Sequence, residues 1–402
     1  MLQLQSIREE AEKGDASAQF DLAEVLYNGL HAEQDLAQAA TWYEKAARSG
    51  HCEAQYKLAL MNFMGRGIKQ NLVEASNWFK RAGEEGHTDA MFNYALICEN
   101  GCGCPVDART AAEWYSKAAA LDHVDSAFNL AVLYHQGRGV ATDLEKAVRL
   151  YGFAAEEGHI QAQFNLALMY HQGMGVPRDP GRAAQLYRMA ADRGYVTAQF
   201  NLAIMLHQGE GISPNPVDAF NYYRMAADNG HITAQYLLGR MFSNGESVVL
   251  DHRLAVRWLT RAAEQGHMKA QYELALKLSR GEGAAKDMQQ VAHWLGKAAD
   301  QGYMKAVFSL GMLFRLGDGM DKNLPFSLEC FLRAANEGHI EAQYWVGYMM
   351  QNGEGTKVNI AEAAKWYSRA AKQGHDRALK QLSTIYDNEE ESDCDRQRGK
   401  AR

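Results

Sequence analysis

The chain has 402 residues, 47% hydrophobic and 23% charged, with 6 prolines, a composition that excludes a disordered or proline-rich polymer. Lys and Arg total 42 against 49 Asp and Glu, a net charge of −7, so the basic field of a sequence-independent nucleic-acid binder is missing, as is a polybasic membrane anchor. No window approaches the ~18–20 uninterrupted apolar residues of a membrane span.

The N-terminus, from Met1 to Ala11, reads as an amphipathic helix start. It lacks the basic and continuously apolar regions of a secretory signal. The six cysteines, at 52, 98, 102, 104, 330 and 394, show no regular pairing. A reduced, cytoplasmic chain is expected, with export by a route that uses no cleavable signal left open.

From residue 14 onward the chain repeats. Glycine stands at 14, 50, 86, 158, 194, 230, 266, 302, 338 and 374, a spacing of 36 or its double. The missing slot is Asp122, after which the register resumes. Ten complete units run from 14 to 373 without insertion or deletion. Length alone suggests two or three domains at ~100–200 residues each; the repeat instead predicts one quasi-linear array.

In the unit 158–193, Ala162, Leu166 and Tyr170 share one face of a first helix. Gly173 and Gly175 break it, and Asp179 is placed to cap a second helix whose apolar side carries Ala183, Leu186, Tyr187, Ala190 and Ala191. Gly194 then ends that helix from the position just past its cap. The capping slot is always Asp or Asn, at 35, 71, 107, 143, 179, 215, 251, 287, 323 and 359. All six prolines fall between the glycine break and the first turn of the second helix, where a missing N–H costs nothing.

These residues form the pattern A-x3-L-x3-Y/φ-x2-G-x-G-φ-x2-D-x3-A-x2-W-Y-x2-A-A-x2-G, which resembles the Sel1-like repeat, a relative of the tetratricopeptide repeat. Two units that carry it are GHIQAQFNLALMYHQGMGVPRDPGRAAQLYRMAADR at 158–193 and GHIEAQYWVGYMMQNGEGTKVNIAEAAKWYSRAAKQ at 338–373. The resemblance covers roughly residues 1–386. Departures are local: His31 and Ser247 replace the second glycine, Gly83 interrupts the Ala-Ala pair, and Cys330 stands in a tryptophan slot. The resemblance implies an all-α, right-handed α/α superhelical solenoid whose first helices line a concave surface. It also implies an adaptor that holds protein partners in that groove. The expected division is a capping helix at 1–13, ten repeats at 14–373, a capping helix at 374–386 and a disordered charged tail at 387–402. A docking role for that tail is the alternative to a merely solvated end.

Counting the glycine slot as position 0, position 6 is aromatic in all ten units, including Phe128, Phe164 and Phe200. Two readings stand: a packing ladder between repeats, or anchors partly exposed in the groove. Asn93, Asn129, Asn165 and Asn201 hold position 7 in consecutive units. His135-Gln136, His171-Gln172 and His207-Gln208 hold positions 13 and 14. These residues line up along one wall and suit hydrogen bonding to an extended peptide backbone, which makes 92–208 the expected binding groove; duplication copying a polar surface is the alternative.

Eight histidines (51, 87, 123, 159, 231, 267, 339 and 375) directly follow the glycine slot. Equivalent positions on neighbouring helices lie about 8–10 Å apart, whereas zinc needs donors at about 2.0–2.1 Å, so helix-start packing is expected of them. Cys98, Cys102 and Cys104 are the other metal candidate, but Cys98 and Cys104 occupy slots held elsewhere by core residues. No metal and no cofactor are expected. GxSxG, Walker A and HExxH are absent, and the paired glycines join helix to helix, unlike a phosphate cradle. A cysteine-rich branch of the family has been linked with penicillin binding, but its paired cysteines are missing here. The reading is a non-catalytic scaffold that binds a protein or peptide in the concave groove. The alternatives are an exported bacterial effector acting on host proteins and a β-lactamase-like hydrolase.

Overall fold

A computed structural model describes residues 2–29 and 33–387. Among the described residues every regular element is an α-helix. His31 and the tail from 388 to 402 lie outside them, so the readings placed there are not addressed.

The chain divides within the sixth repeat into two units, Met1–Pro214 and Asn215–Arg402. The first opens with α1 (Leu2–Glu12) and then alternates first and second helices: α2 (Ala16–Asn28), α3 (Leu36–Arg48), α4 (Cys52–Met64), α5 (Leu72–Glu84), α6 (Thr88–Asn100), α7 (Ala108–Ala119), α8 (Val124–Gln136), α9 (Leu144–Glu156), α10 (Ile160–Gln172), α11 (Pro180–Asp192) and α12 (Val196–Gln208). The second unit holds α13 (Pro216–Asp228), α14 (Ile232–Asn244), α15 (His252–Glu264), α16 (Met268–Arg280), α17 (Met288–Asp300), α18 (Met304–Leu316), α19 (Leu324–Asn336), α20 (Ile340–Asn352), α21 (Ile360–Lys372) and a last helix, α22, over 376–387. Within each unit consecutive helices pack on one another, giving an all-α solenoid of helix-turn-helix repeats.

Each second helix begins where the sequence places it. The Asp or Asn side chain accepts from a backbone N–H of the first turn, as Asp143 does from Lys146 at 2.9 Å and Asn359 from Glu362 at 3.0 Å. The core is built on small residues: Ala154, Ala155, Ala162 and Ala167 are all buried, and large rings such as Tyr115, Tyr151 and Tyr187 fill the space between helices. Gly83 has a local cause, since a Cβ there would meet the Trp114 ring at 2.8 Å. Cys330, in its tryptophan slot, is buried, and burial pushes its thiol up to about 11.

Asp122 takes the glycine slot at φ +59°, in the left-handed region. An L side chain there costs energy that glycine does not. Asp122→Gly is therefore expected to stabilise the first unit by about 0.5–1 kcal/mol, the ~1–2 kcal/mol of left-handed strain less the ~0.5–1 kcal/mol that glycine's extra freedom costs, read as a higher urea midpoint with an unchanged slope.

Candidate functional site: the first-helix face

Two devices that hold the repeats together also shape this face. At the start of α4, α6, α8, α10, α14, α16 and α20 the residue after the glycine slot is histidine, and its Nδ1 accepts from a backbone N–H of the first turn. His375 does the same for Ala378 at 3.1 Å. Imidazole is outside the usual capping set, so the sequence pattern gave only packing. With Nδ1 accepting, the neutral ring carries its proton on Nε2. That nitrogen faces a carboxylate of the preceding repeat in His87–Glu53 at 3.1 Å, His123–Asp89 at 3.3 Å and His375–Glu341 at 3.2 Å.

The position-6 aromatics complete this joint. Phe20 stacks on His51 with centroids 4.5 Å apart, and Phe128 on His159 at 4.2 Å. Phe164 packs against Tyr187 and Tyr195 at 5.7 and 5.0 Å. Phe128, Phe164 and Phe200 are half-buried. The Phe128 and Phe164 rings thus make contacts between repeats.

The second device, a buried glutamine at position 5, was not legible as such. Gln163 Nε2 donates to the Ala155 carbonyl at 3.1 Å and Gln199 Nε2 to that of Ala191 at 3.1 Å, tying each first helix to the end of the preceding second helix. In the second unit Gln265 and Gln301 also donate to the side-chain oxygens of Gln235 and Gln271, both at 2.8 Å.

The residues of the expected hydrogen-bonding ladder differ in burial. Asn93, Asn129, Asn165 and Asn201 are half-buried; Gln136, Gln172, His207 and Gln208 are exposed, and His135 and His171 are half-buried. Asn129 donates to the Tyr115 hydroxyl at 3.2 Å, and that hydroxyl donates to Glu99 at 2.7 Å. Asn165 stands in the same relation to Tyr151. Burial pushes the Tyr115 and Tyr151 hydroxyls up to about 12, so they stay protonated at neutral pH. The His135 and His171 rings stand edge-on to Tyr151 and Tyr187 at 6.3 and 6.2 Å. Asn93 donates instead to the Asp89 carbonyl of its own helix at 2.8 Å.

Between successive repeats the face carries a notch, and in the first unit two are open pockets of about 190 Å³ each. The first has Tyr27 and Tyr43 as aromatic walls, and Leu60 and Met61 as an apolar side. The second has Phe63 and Phe79, with Leu96 and Ile97, in the same places 36 residues on. At the rims, Lys57, Met64 and Arg66 of the first become Asn93, Asn100 and Cys102 of the second. Phe63 and Met64, 36% and 52% exposed, form the ridge between them.

At three later repeats the positions equivalent to Tyr27 and Arg66 hold side chains that meet as a pair. Glu99 pairs with Arg138. His171 Nε2 lies 3.2 Å from Glu210, which also takes Arg178. In the second unit Arg315 makes a two-toothed bond to Glu354 at 2.8 and 3.1 Å, beneath the rings of Trp345 and Tyr348. At the first notch the equivalent pair is Tyr27 and Arg66, joined by a 3.2 Å hydrogen bond from the guanidinium to the hydroxyl.

Of the three cysteines, Cys98 and Cys104 lie side by side. Cys98 is buried, Cys102 lines the second pocket, and Cys104 Sγ donates to the Ile97 carbonyl at 3.7 Å. Among the described residues no three His, Cys, Asp or Glu side chains converge as metal ligands, and no helix is long and apolar enough to cross a membrane. The face carries hydrogen-bond donors and acceptors beside apolar notches.

The sequence profile of the Sel1 repeat matches ten segments: 16–51, 52–87, 88–123, 124–159, 160–195, 196–231, 232–267, 269–303, 305–339 and 340–375. Among solved structures, the chain is similar to a protective antigen of uropathogenic Escherichia coli strains with an SLR fold, at 33% identity and TM-score 0.82 over 95% of this chain and 82% of that one. It is also similar to a Sel1 repeat protein from Oxalobacter formigenes, at 30% identity and TM-score 0.63 over 77% of this chain and 89% of that one. No curated protein matches it.

Proposed function

The chain belongs to the Sel1 repeat family, whose repeats mediate protein interactions, and from that premise we propose that it is a non-catalytic scaffold binding a protein or peptide partner along the first-helix face of residues 1–214. The observation that supports this most is the 36-residue recurrence on that face of polar side chains beside half-buried apolar notches. Asn93, Asn129, Asn165 and Asn201, with His135, Gln136, His171, Gln172, His207 and Gln208, supply the hydrogen-bonding groups; Phe128, Phe164 and Phe200 brace the helices that carry them. Folds of this kind are typically non-enzymatic scaffolds, in keeping with a face made of shallow, repeated features.

The test is replacement of Asn129, Asn165 and His171 by alanine together, with helicity and urea midpoint checked against the parent. Capture of native partners is expected to fall ~10-fold or more, the equivalent of losing one or two buried polar contacts. Retention unchanged in a folded variant removes the ladder from the interface.

A second reading, export to act on another cell's proteins, has one observation in its favour, the similarity to a protective antigen of uropathogenic Escherichia coli. It requires the protein to be recovered from culture medium of the native source while a cytoplasmic marker stays with the cells.

A further inference from the structure

Independently of the interaction reading, we propose that Cys98 and Cys104 are a peroxide-reactive thiol pair, a site of reversible oxidation that closes to a disulfide across the turn between α6 and α7.

The fold brings the two thiols together. Cys98 lies near the end of α6 and Cys104 in the connection to α7. Their side chains sit next to each other in one apolar cluster. Backbone bonds fold the turn back on the helix without help from either sulfur. The Gly101 and Cys102 N–H groups donate to the Ile97 carbonyl at 2.9 and 3.2 Å, and that of Asp107 to the Cys98 carbonyl at 2.8 Å. A Cβ at Gly103 would overlap the Leu72 carbonyl of the preceding repeat, so the turn is also seated on its neighbour. One repeat on, the same two slots hold Tyr134 and Val140, which pack against the same cluster. The approach is thus a feature of the repeat, and only this unit fills either slot with cysteine.

Burial divides the work between the two sulfurs. Cys98 is buried, and burial pushes its thiol up to about 11, so it keeps its proton at neutral pH. Cys104 is half-buried and held through sulfur only by a long hydrogen bond, 3.7 Å, to the Ile97 carbonyl. A thiol is a weak donor, so that bond yields readily. Hydrogen peroxide therefore meets Cys104 first. Its sulfur attacks one peroxide oxygen, the O–O bond breaks, and a sulfenic acid and one water form. Cys98 Sγ then attacks the sulfenic sulfur. The S–S bond forms, the S–O bond breaks, and the oxygen leaves with the Cys98 proton as a second water. Two thiols lose two electrons and one peroxide becomes two waters; a dithiol reductant restores the pair by exchange. Closure brings the sulfurs to ~2.05 Å, a movement Cys104 makes by leaving the Ile97 carbonyl. Cys102, on the same turn, lines the second pocket instead.

The experiment treats the folded whole chain with hydrogen peroxide, removes the oxidant, alkylates the remaining thiols in urea and maps the products by peptide mass spectrometry. Cys98 and Cys104 are expected to be lost to alkylation together, as a bond between them that dithiothreitol reverses, with Cys102 still alkylated. Cys102→Ser should leave the yield of that bond unchanged. Cys104→Ser, at a half-exposed turn position and with helicity matched to the parent, should leave Cys98 alkylated and cut disulfide yield in this segment ~10-fold or more. Oxidation of the urea-unfolded chain should instead spread over all three pairings of Cys98, Cys102 and Cys104, because no fold selects among them. The site is overturned by a bond to Cys102 in the folded chain, by further oxidation of Cys104 while Cys98 stays alkylated, by no loss of either thiol, or by the same pairings in folded and unfolded chain.

Discussion

Gly139→Val is expected to destabilise the first unit by about 2–5 kcal/mol, combining about 1–2 for a side chain at positive φ with about 1–3 for forced overlap. Gly139 is the second glycine of its turn, at φ +73°, and a Cβ there would overlap the backbone carbonyl of Ala108, the first residue of α7 in the preceding repeat. That obstacle is main chain held by its own helix, so it cannot rotate away. Gly266, the slot at the end of α15, is the contrast. It also has positive φ, at +90°, yet a Cβ added there meets nothing within 4 Å. Gly266→Ala is therefore expected to lose only the backbone term, about 1–2 kcal/mol. Urea denaturation of the two variants, followed by circular dichroism, checks the ordering; equal losses would mean that contact between repeats plays no part at Gly139.

Acidification is expected to weaken the fold before its carboxylates titrate, because four histidine caps work only when neutral. Burial holds the His159, His231, His267 and His339 imidazoles below the usual value near 6.5. Asp125 opposes the shift at His159 and Glu341 at His339, while Lys269 adds to it at His267 and Lys305 at His339. The unfolded chain therefore binds more protons than the folded one below pH ~6.5. The stabilisation is full above that pH and is lost as pH falls through the lower folded values. Protonation gives Nδ1 a hydrogen and removes the acceptor for the first-turn N–H, so each of the four caps is lost as its imidazole charges. Melting temperatures between pH 8 and pH 5 should fall accordingly. A variant carrying His159→Asn, His231→Asn, His267→Asn and His339→Asn keeps a capping oxygen without a titrating group. It should flatten the profile in that window; an undiminished slope would place the dependence elsewhere.

Both predictions draw on features the sequence carried in different degrees. The histidines after the glycine slot stood out by count, and their capping bond spans only three residues. Their role was hidden because imidazole is outside the usual capping set and because its stacking partner lies in another repeat. The glycine pairs were read as helix breaks, which they are. The reason the second one resists a side chain, the carbonyl 31 residues earlier, belongs to the stack. Position 7 shows the same limit: the Asn ladder was visible in the sequence, but the bond of Asn129 to Tyr115 needed the preceding repeat in place.

The sequence by itself determined the repeat length, the alternation of helices, the Asp and Asn caps, the small-residue core and the family. All of these follow from interactions within a few residues or from a period copied along the chain. The tertiary structure alone decided which notches stand open. Rim partners such as Tyr27 and Arg66, or Glu99 and Arg138, are 39 residues apart and meet only after one repeat stacks on the next. Whether they close as an ion pair or leave a cation facing a hydroxyl depends on two side chains brought together across that joint, and no local pattern records their product.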